Sequence, residues 1–223
     1  MNISYMGDEI DIEKYRTIGK TYLSNNHKHL ILIPMLTKCI EIENKIEIKP
    51  ISKKSIQEMK KDSLGNSFLE LRNKYINNGY IDTINKENYI HEYYDIINKY
   101  YNIGTEVVKN LTIYSESNDY EYFLAYQEFP ENCLVFVDPD TGIQPENVIN
   151  EKHLKYQAIR MIMNKLTQNS TLIIYQHEQK NRKNWYTREN RLSLLKQNLE
   201  NIADDNIKIE NNNDSSYLFI IKK

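Results

Sequence analysis

Asp138 and Asp140 close the run Val137-Asp138-Pro139-Asp140-Thr141-Gly142. Two acids at that spacing can bind a divalent cation, orient an amine, or hold one raised pKa through mutual repulsion. Pro139 stiffens the turn between them, and Gly142 permits a backbone geometry that other residues resist. The plainer reading is a turn whose aspartates bond to nearby backbone N–H groups. Further along, Thr171-Leu172-Ile173-Ile174-Tyr175 runs on to Gln176 and His177, and His177 is a candidate general base. Next comes Lys180-Asn181-Arg182-Lys183-Asn184-Trp185-Tyr186, where cations interleave with aromatics. That pattern can hold phosphates and stack bases, so Lys180, Arg182, Lys183 and Trp185 join Pro139 as substrate-binding candidates. The other reading of this stretch is a solvated loop whose Trp185 begins the core face of the following helix.

Such residues need strand ends to hold them. Cys133-Leu134-Val135-Phe136-Val137 is continuously apolar, as a strand covered on both faces of a parallel sheet must be, and it ends on Asp138. His29 to Pro34 and Thr171 to Tyr175 read the same way. A first helix, capped by Asp8 or Asp11, is expected to run to about Ser24 with Ile12, Tyr15, Ile18, Tyr22 and Leu23 on its apolar face. Further helices are expected from Asp119 to about Phe129, Leu154 to Leu166 and Trp185 to Leu199, with a short strand at Leu111 to Tyr114. The alternation predicts an α/β fold built on a mostly parallel, doubly wound, Rossmann-like sheet. A closing β-hairpin, Ile207 to Ile209 and Tyr217 to Ile221 around Asn211 to Asp214, would add antiparallel strands at one edge. Ile40-Glu41-Ile42 and Ile46-Glu47-Ile48 read as a small hairpin across Glu43-Asn44-Lys45. Ser52 to Tyr101 reads as a helical insertion or cover, broken near Ser63-Leu64-Gly65 and Asn77-Asn78-Gly79. With no linker or repeat, residues 1–223 are expected to form one domain. In open α/β sheets ligands collect beyond the carboxyl ends of the strands, which puts Asp138 and His177 on the rim of the site.

Composition narrows the function. A formal net charge of -2 and a pI near 6.2 exclude a general, charge-driven nucleic-acid binder and leave room for a local basic patch. None of the 6 glycines falls in Gly-x-Gly-x-x-Gly or Gly-x-x-x-x-Gly-Lys-Ser/Thr, so neither common phosphate cradle is present. Cys39 and Cys133 lie in apolar strand-like runs and are expected to be reduced, buried thiols. The first residues lack a basic start followed by an apolar run, and no stretch approaches the roughly twenty apolar residues of a membrane span, so a cytoplasmic location without membrane contact is expected.

A resemblance sharpens these expectations. Gly7-Asp8-Glu9-Ile10-Asp11-Ile12-Glu13-Lys14-Tyr15 resembles the Gly-Asp-x-x-Asp-x-x-Lys-Tyr opening of a family of bacterial and phage proteins of unassigned activity. Their other marks are an Asp-Pro-Asp-x-Gly-x-Glu turn, a Lys-Tyr pair and a strand ending Tyr-x-His. Here these stand as Asp138-Pro139-Asp140-Thr141-Gly142-Ile143-Gln144, Lys155-Tyr156 and Tyr175-Gln176-His177, with Gln144 in place of the acid. That family is distantly similar to the large-subunit ribosomal RNA adenine-N6 methyltransferases, which open with Gly-Asn-x-Ala-Asp-x-x-Lys-His and carry an Asp-Pro-Pro-Tyr turn. Gly7, Asp11 and Lys14 fall on the first motif, and Asp138 and Pro139 on the second; Asp140 and Thr141 replace the second Pro and the Tyr. The resemblance implies a methyltransferase-like domain using S-adenosylmethionine, with Asp11 and Lys14 on the donor side and Asp138 holding the target amine of a nucleic acid or nucleotide. Two other readings stay open. Asp138 and Asp140 could serve a metal-dependent phosphohydrolase or nuclease of the haloacid dehalogenase pattern, although Gly142 stands where that pattern wants Thr or Val. Alternatively, the chain is a non-catalytic binding module in phage or restriction biology, which would account for a first strand ending Ile33-Pro34-Met35-Leu36-Thr37 without the glycines that admit a methyl donor.

Overall fold

The computed structural model describes residues 2–37, 39–101, 106–107, 129–144, 152–177, 188–203, 207–213 and 216–223. Its strands are β1 (His29–Pro34), β2 (Glu41–Ile42), β3 (Lys45–Glu47), β4 (Tyr80–Asp82), β5 (Glu106–Val107), β6 (Cys133–Asp138), β7 (Gly142–Ile143), β8 (His153–Leu154), β9 (Thr171–His177), β10 (Ile207–Asn213) and β11 (Ser216–Lys222). Its helices are α1 (Glu9–Ser24), α2 (Lys53–Met59), α3 (Ser63–Tyr75), α4 (Lys86–Tyr101), α5 (Tyr156–Lys165) and α6 (Arg188–Ala203).

The protein is a mixed α/β structure around a six-stranded sheet of order β10-β11-β9-β6-β1-β5. Strands β5, β1, β6 and β9 are parallel, and β11 enters antiparallel between β9 and its hairpin partner β10. The three apolar runs read from the sequence are thus adjacent parallel strands, and nearly all their residues are buried. Because side chains alternate across a strand, each run feeds two cores. Leu30, Leu32, Leu134, Phe136, Ile173 and Tyr175 pack with α1, α3 and α4, while Ile31, Ile33, Val135, Val137, Leu172 and Ile174 pack with α5 and α6. Continuous hydrophobicity was therefore the signal of a sheet covered on both faces.

Helix α1 starts where Asp8 accepts hydrogen bonds from the N–H groups of Ile10 and Asp11. Ile12, Tyr15, Ile18 and Tyr22 are buried as their spacing predicts, but Leu23 is 68% exposed, one position off the stripe. The expected hairpin forms as β2 and β3, with Glu43 and Asn44 both at positive φ, as a two-residue loop of this hand requires. The segment after Ser52 is less uniformly helical than its composition suggests. Its first break falls before Ser63, with Asp62 capping α3 through the Gly65 N–H. Its second break, at Asn78 and Gly79, leads into β4, which pairs with β3 because Ile81 meets Ile46 in the core. Cys133 is buried, whereas Cys39 lies half-buried outside any strand. The expected strand at Leu111 to Tyr114 and most of the expected helix from Asp119 lie outside the described residues. Among the described residues no helix is long and apolar enough to cross a membrane.

The helices after β3 also hold the chain's first residues in place. Buried Arg72 donates to the Met6 and Lys49 carbonyls, Tyr89 donates to the same Met6 carbonyl at 2.8 Å, and the Lys49 N–H reaches the Ser4 carbonyl at 2.9 Å. Replacing Arg72→Met removes two charge-assisted bonds, the one to Met6 buried and the one to Lys49 partly so, and urea unfolding is expected to show a loss of about 2–4 kcal/mol with an unchanged slope. An unchanged midpoint would show that the segment is held without Arg72.

Candidate functional site

Strands β1 and β6 run in register up to the pair Pro34 and Asp138. From β1 the sheet extends to β5 on one side and to β6 on the other, so the loops leaving β1 and β6 diverge and open a crevice at their carboxyl ends. Asp138 shares strand parity with Leu134 and Phe136 and so faces α1.

On α1, Asp11 and Lys14 are three residues apart and lie on one face. The Lys14 ammonium donates to Asp11 Oδ1 at 2.9 Å and to Asp138 Oδ2 and Oδ1 at 2.9 and 3.1 Å, which matches its three N–H groups with three carboxylate oxygens. It also sits 4.4 Å from the centre of the Tyr175 ring. The Lys14 side chain is 5% exposed and that of Asp138 3%. Asp11 Oδ2 in turn accepts the Gly7 N–H at 2.8 Å and the Tyr93 hydroxyl at 2.6 Å. Burial alone would lower the Lys14 pKa, but Asp11 and Asp138 outweigh it and hold the lysine above its ordinary range. Burial pushes the Asp138 carboxyl up, with Lys14 opposing. It also takes the Tyr175 phenol to about 12.

The turn after Asp138 is clamped from β9. Gln176 accepts the Ile143 N–H at 2.7 Å and donates to the carbonyls of Thr141 and His177 at 3.3 and 2.8 Å. Gly142 has φ +111, and a Cβ there would stand 2.5 Å from the Gln176 carboxamide, so glycine is what lets the clamp close. Asp140 does not converge on the Lys14 ammonium; its Oδ2 takes the Thr37 hydroxyl at 3.3 Å and lies 3.8 Å from the Lys152 ammonium. His177 is half-buried, with Nδ1 3.4 Å from the Tyr175 hydroxyl.

These residues border a cleft of about 530 Å³, walled by Asn2, Ser4, Tyr5, Met6, Ile40, Glu47, Lys49 and Lys152 as well as the turn. Asp11, Lys14, Asp138, Pro139, Asp140 and His177 all line it; Lys180, Arg182, Lys183 and Trp185 lie outside the described residues. Sequence reading missed Tyr5, Tyr175 and Gln176 as site residues and took Asp8 only as a cap. Gln176 carried a signal: a polar residue extending a buried apolar strand needs a partner. Five lining carboxylates, Asp8, Asp11, Glu47, Asp138 and Asp140, face three lysines, Lys14, Lys49 and Lys152, so the cleft carries an excess of acid. Burial, reinforced by the neighbouring Asp11, pushes the half-buried Asp8 carboxyl up to about 7. Among the described residues no three His, Cys, Asp or Glu side chains gather in a metal-binding arrangement.

Lys14→Met leaves Asp11 and Asp138 buried without their cation. We expect a loss of about 3–5 kcal/mol in urea melts, the cost typical of breaking a buried pair. The loss should be larger at pH 8 than at pH 5, because a carboxyl whose folded pKa is raised gives up stability as it deprotonates, and adding Asp138→Asn should restore part of it. Equal stability of Lys14→Met and the parent at pH 8 would contradict this account. Asp8 obeys the same sign: with a folded pKa near 7 against an unfolded value near 3.9, it takes stability away between about pH 4 and 7. Asp8→Asn keeps the cap and should match the parent near pH 4, then gain on it by about 1 kcal/mol or more by pH 7.5. A gap that does not change with pH would rule this out.

Compared with protein-family models, curated proteins and solved structures, the chain matches none.

Proposed function

We propose that this chain is a methyltransferase-like protein whose cleft takes S-adenosylmethionine and an amine-bearing nucleic acid or nucleotide. One observation carries the reading: Lys14 and Asp138, 124 residues apart and each part of a motif resembling the adenine-N6 methyltransferases, meet at 2.9 Å on the rim of the cleft. The sheet supports it. Four parallel strands with helices on both faces, closed by a hairpin whose last strand inserts antiparallel, are what a doubly wound, methyltransferase-like sheet with a terminal hairpin requires.

Bound in the cleft, S-adenosylmethionine supplies a methyl group. The chain's own share is to hold the acceptor. Lys14 fixes the Asp138 carboxylate, which borders the cleft at the carboxyl end of β6, where the reading puts the acceptor amine. The acid excess favours groups that present positive charge or hydrogen-bond donors, such as a sulfonium or a base amine, so on this reading the phosphates of the substrate stay outside the cleft. This weighs against the phosphohydrolase reading. So does the placement of the two acids, since Asp138 is held by Lys14 while Asp140 is turned to Thr37 and Lys152. The non-catalytic reading keeps support of its own: the chain leaving β1 puts buried Met35 and Leu36 where a donor-binding loop would carry glycine.

The test is a thermal melt with S-adenosylmethionine, then with magnesium, on the parent and Asp138→Asn. At a ligand concentration near 100 times Kd the parent should gain about 2.7 kcal/mol, a shift of roughly 5–10 °C for a chain of this size. Asp138→Asn, which preserves shape, should lose most of that shift, because it removes a carboxylate from the acid-rich lining that favours a sulfonium. A magnesium shift that vanishes in the variant would replace this reading with the phosphohydrolase. No shift with either ligand would leave the binding module.

A further inference from the structure

The small sheet β2-β3-β4 turns an apolar face to water. Directly opposed residues of an antiparallel pair point the same way, and the register sets Glu41, Ile46 and Ile81 in one row and Ile42, Lys45 and Asp82 in the next. Ile46 and Ile81 are buried in the core, so the first row faces inward and the second outward. Glu47 and Tyr80 are opposed in a further outward row, and Ile40, one step before β2, falls at the parity of Ile42 and borders the cleft with Glu47. Strand β2 is therefore inside out for a sheet with one wet face. Its acid, Glu41, shares the row of the buried isoleucines and reaches Lys86 at 3.4 Å, while Ile40 is 77% and Ile42 55% exposed. Slipping the strand by one residue would turn both isoleucines inward, yet the turn at Glu43 and Asn44 holds the register as it is. With Tyr80 and with Ile84 in the turn after β4, four of the seven exposed large apolar side chains among the described residues belong to this sheet and its flanks, so the apolar surface left in water is gathered here rather than scattered.

The charges on this face do not satisfy one another. Lys45 and Asp82 are opposed across β3 and β4 yet form no ion pair among the described residues, and Glu47 has an exposed contact with Lys49 at 3.7 Å. Both signs are present, so the face carries no field that would select a partner of one charge. It does match itself. We propose that the outer face of β2-β3-β4 docks against the same face of a second copy of this chain. A two-fold axis lying between the two sheets and running across the strands exchanges the two outward rows. It sets Ile42 against Ile40, Lys45 against Glu47, and Asp82 against the Tyr80 hydroxyl of the other copy, each contact occurring twice. An axis along the strands would instead set Lys45 on Lys45 and Glu47 on Glu47, and like charges in contact oppose that docking. Charge therefore selects both the occupant and its orientation. Six side chains a copy is well below the roughly 20–30 residues of a standard interface, so the dimer is weaker than the micromolar level at which standard interfaces begin.

Sedimentation equilibrium on the full chain from about 10 µM to 1 mM reads this association directly. The average mass of the parent should climb toward that of a dimer across the range. Lys45→Glu and Glu47→Lys each put like charges together at two places and should weaken association by about tenfold or more. Combining Lys45→Glu with Glu47→Lys restores opposite charges across the interface and should recover the parent's association within about threefold. Ile42→Ser, which changes no charge, should also weaken it. All three positions are exposed, so every variant should fold like the parent, and a urea melt of each checks this. A parent that stays monomeric at about 1 mM overturns the proposal and leaves the face to a partner of another kind. Association that the single variants do not weaken places the contact elsewhere on the protein and overturns it as well. Weakening that the double variant fails to recover overturns the pairing of Lys45 with Glu47, and with it the two-fold docking.

Discussion

Taking an ammonium and two carboxylates out of water costs several kcal/mol per ion, and only close geometry offsets it. In this protein that requirement falls on Lys14, whose three N–H groups meet three oxygens from Asp11 and Asp138. The pairing constrains everything near it. The end of β6 must lie beside the second turn of α1, Asp11 must receive the Gly7 N–H and the Tyr93 hydroxyl on its other oxygen, and Tyr175 must present its ring to the cation. Thus α1, α4, β6 and β9 are registered against one another by a single buried charge cluster, with the stacked Phe68 and Tyr93 rings closing it from α3 and α4.

The same saturation shapes what the cleft can do. With its three N–H groups matched by carboxylate oxygens inside the protein, Lys14 fixes the position of Asp138 rather than offering an N–H to the cleft. What faces the cleft is acceptor-rich: Asp138, Asp8, Asp140 and Glu47. Burial and the Asp11 carboxylate both oppose ionisation of Asp8 and raise its carboxyl to about 7, so it changes protonation near neutral pH.

The helices and small sheet between β1 and β6 have a role beyond covering the core. Arg72 and Tyr89 pin Met6, and β3 pins Ser4, so this part of the chain builds one wall of the cleft while the sheet builds its floor. Gln176 performs a similar service from β9, holding the turn after Asp138 through two hydrogen bonds that glycine at position 142 makes room for.

The apolar runs at His29 to Pro34, Cys133 to Val137 and Thr171 to Tyr175 by themselves determined that these segments would be parallel strands covered on both faces, because no half-exposed strand can be apolar at every position. The polar stop at Asp138 and the cap at Asp8 were legible in the same way, as were the two turns around Asn44 and Gly79. β4 was not, since three residues inside a helical stretch carry too little pattern to outweigh it, and their strand state comes from Ile81 meeting Ile46. Nor did anything in the order of residues say that Asp138 and Asp140 would part, one to Lys14 and the other to Thr37 and Lys152. Asp138 and Asp140 have the same chemistry and differ only in the elements packed above them. Pairing across 124 residues depends on where α1 lies against the sheet, and that position is a property of the packed core, so the ion pair and the clamp on the turn were decided only by the tertiary structure.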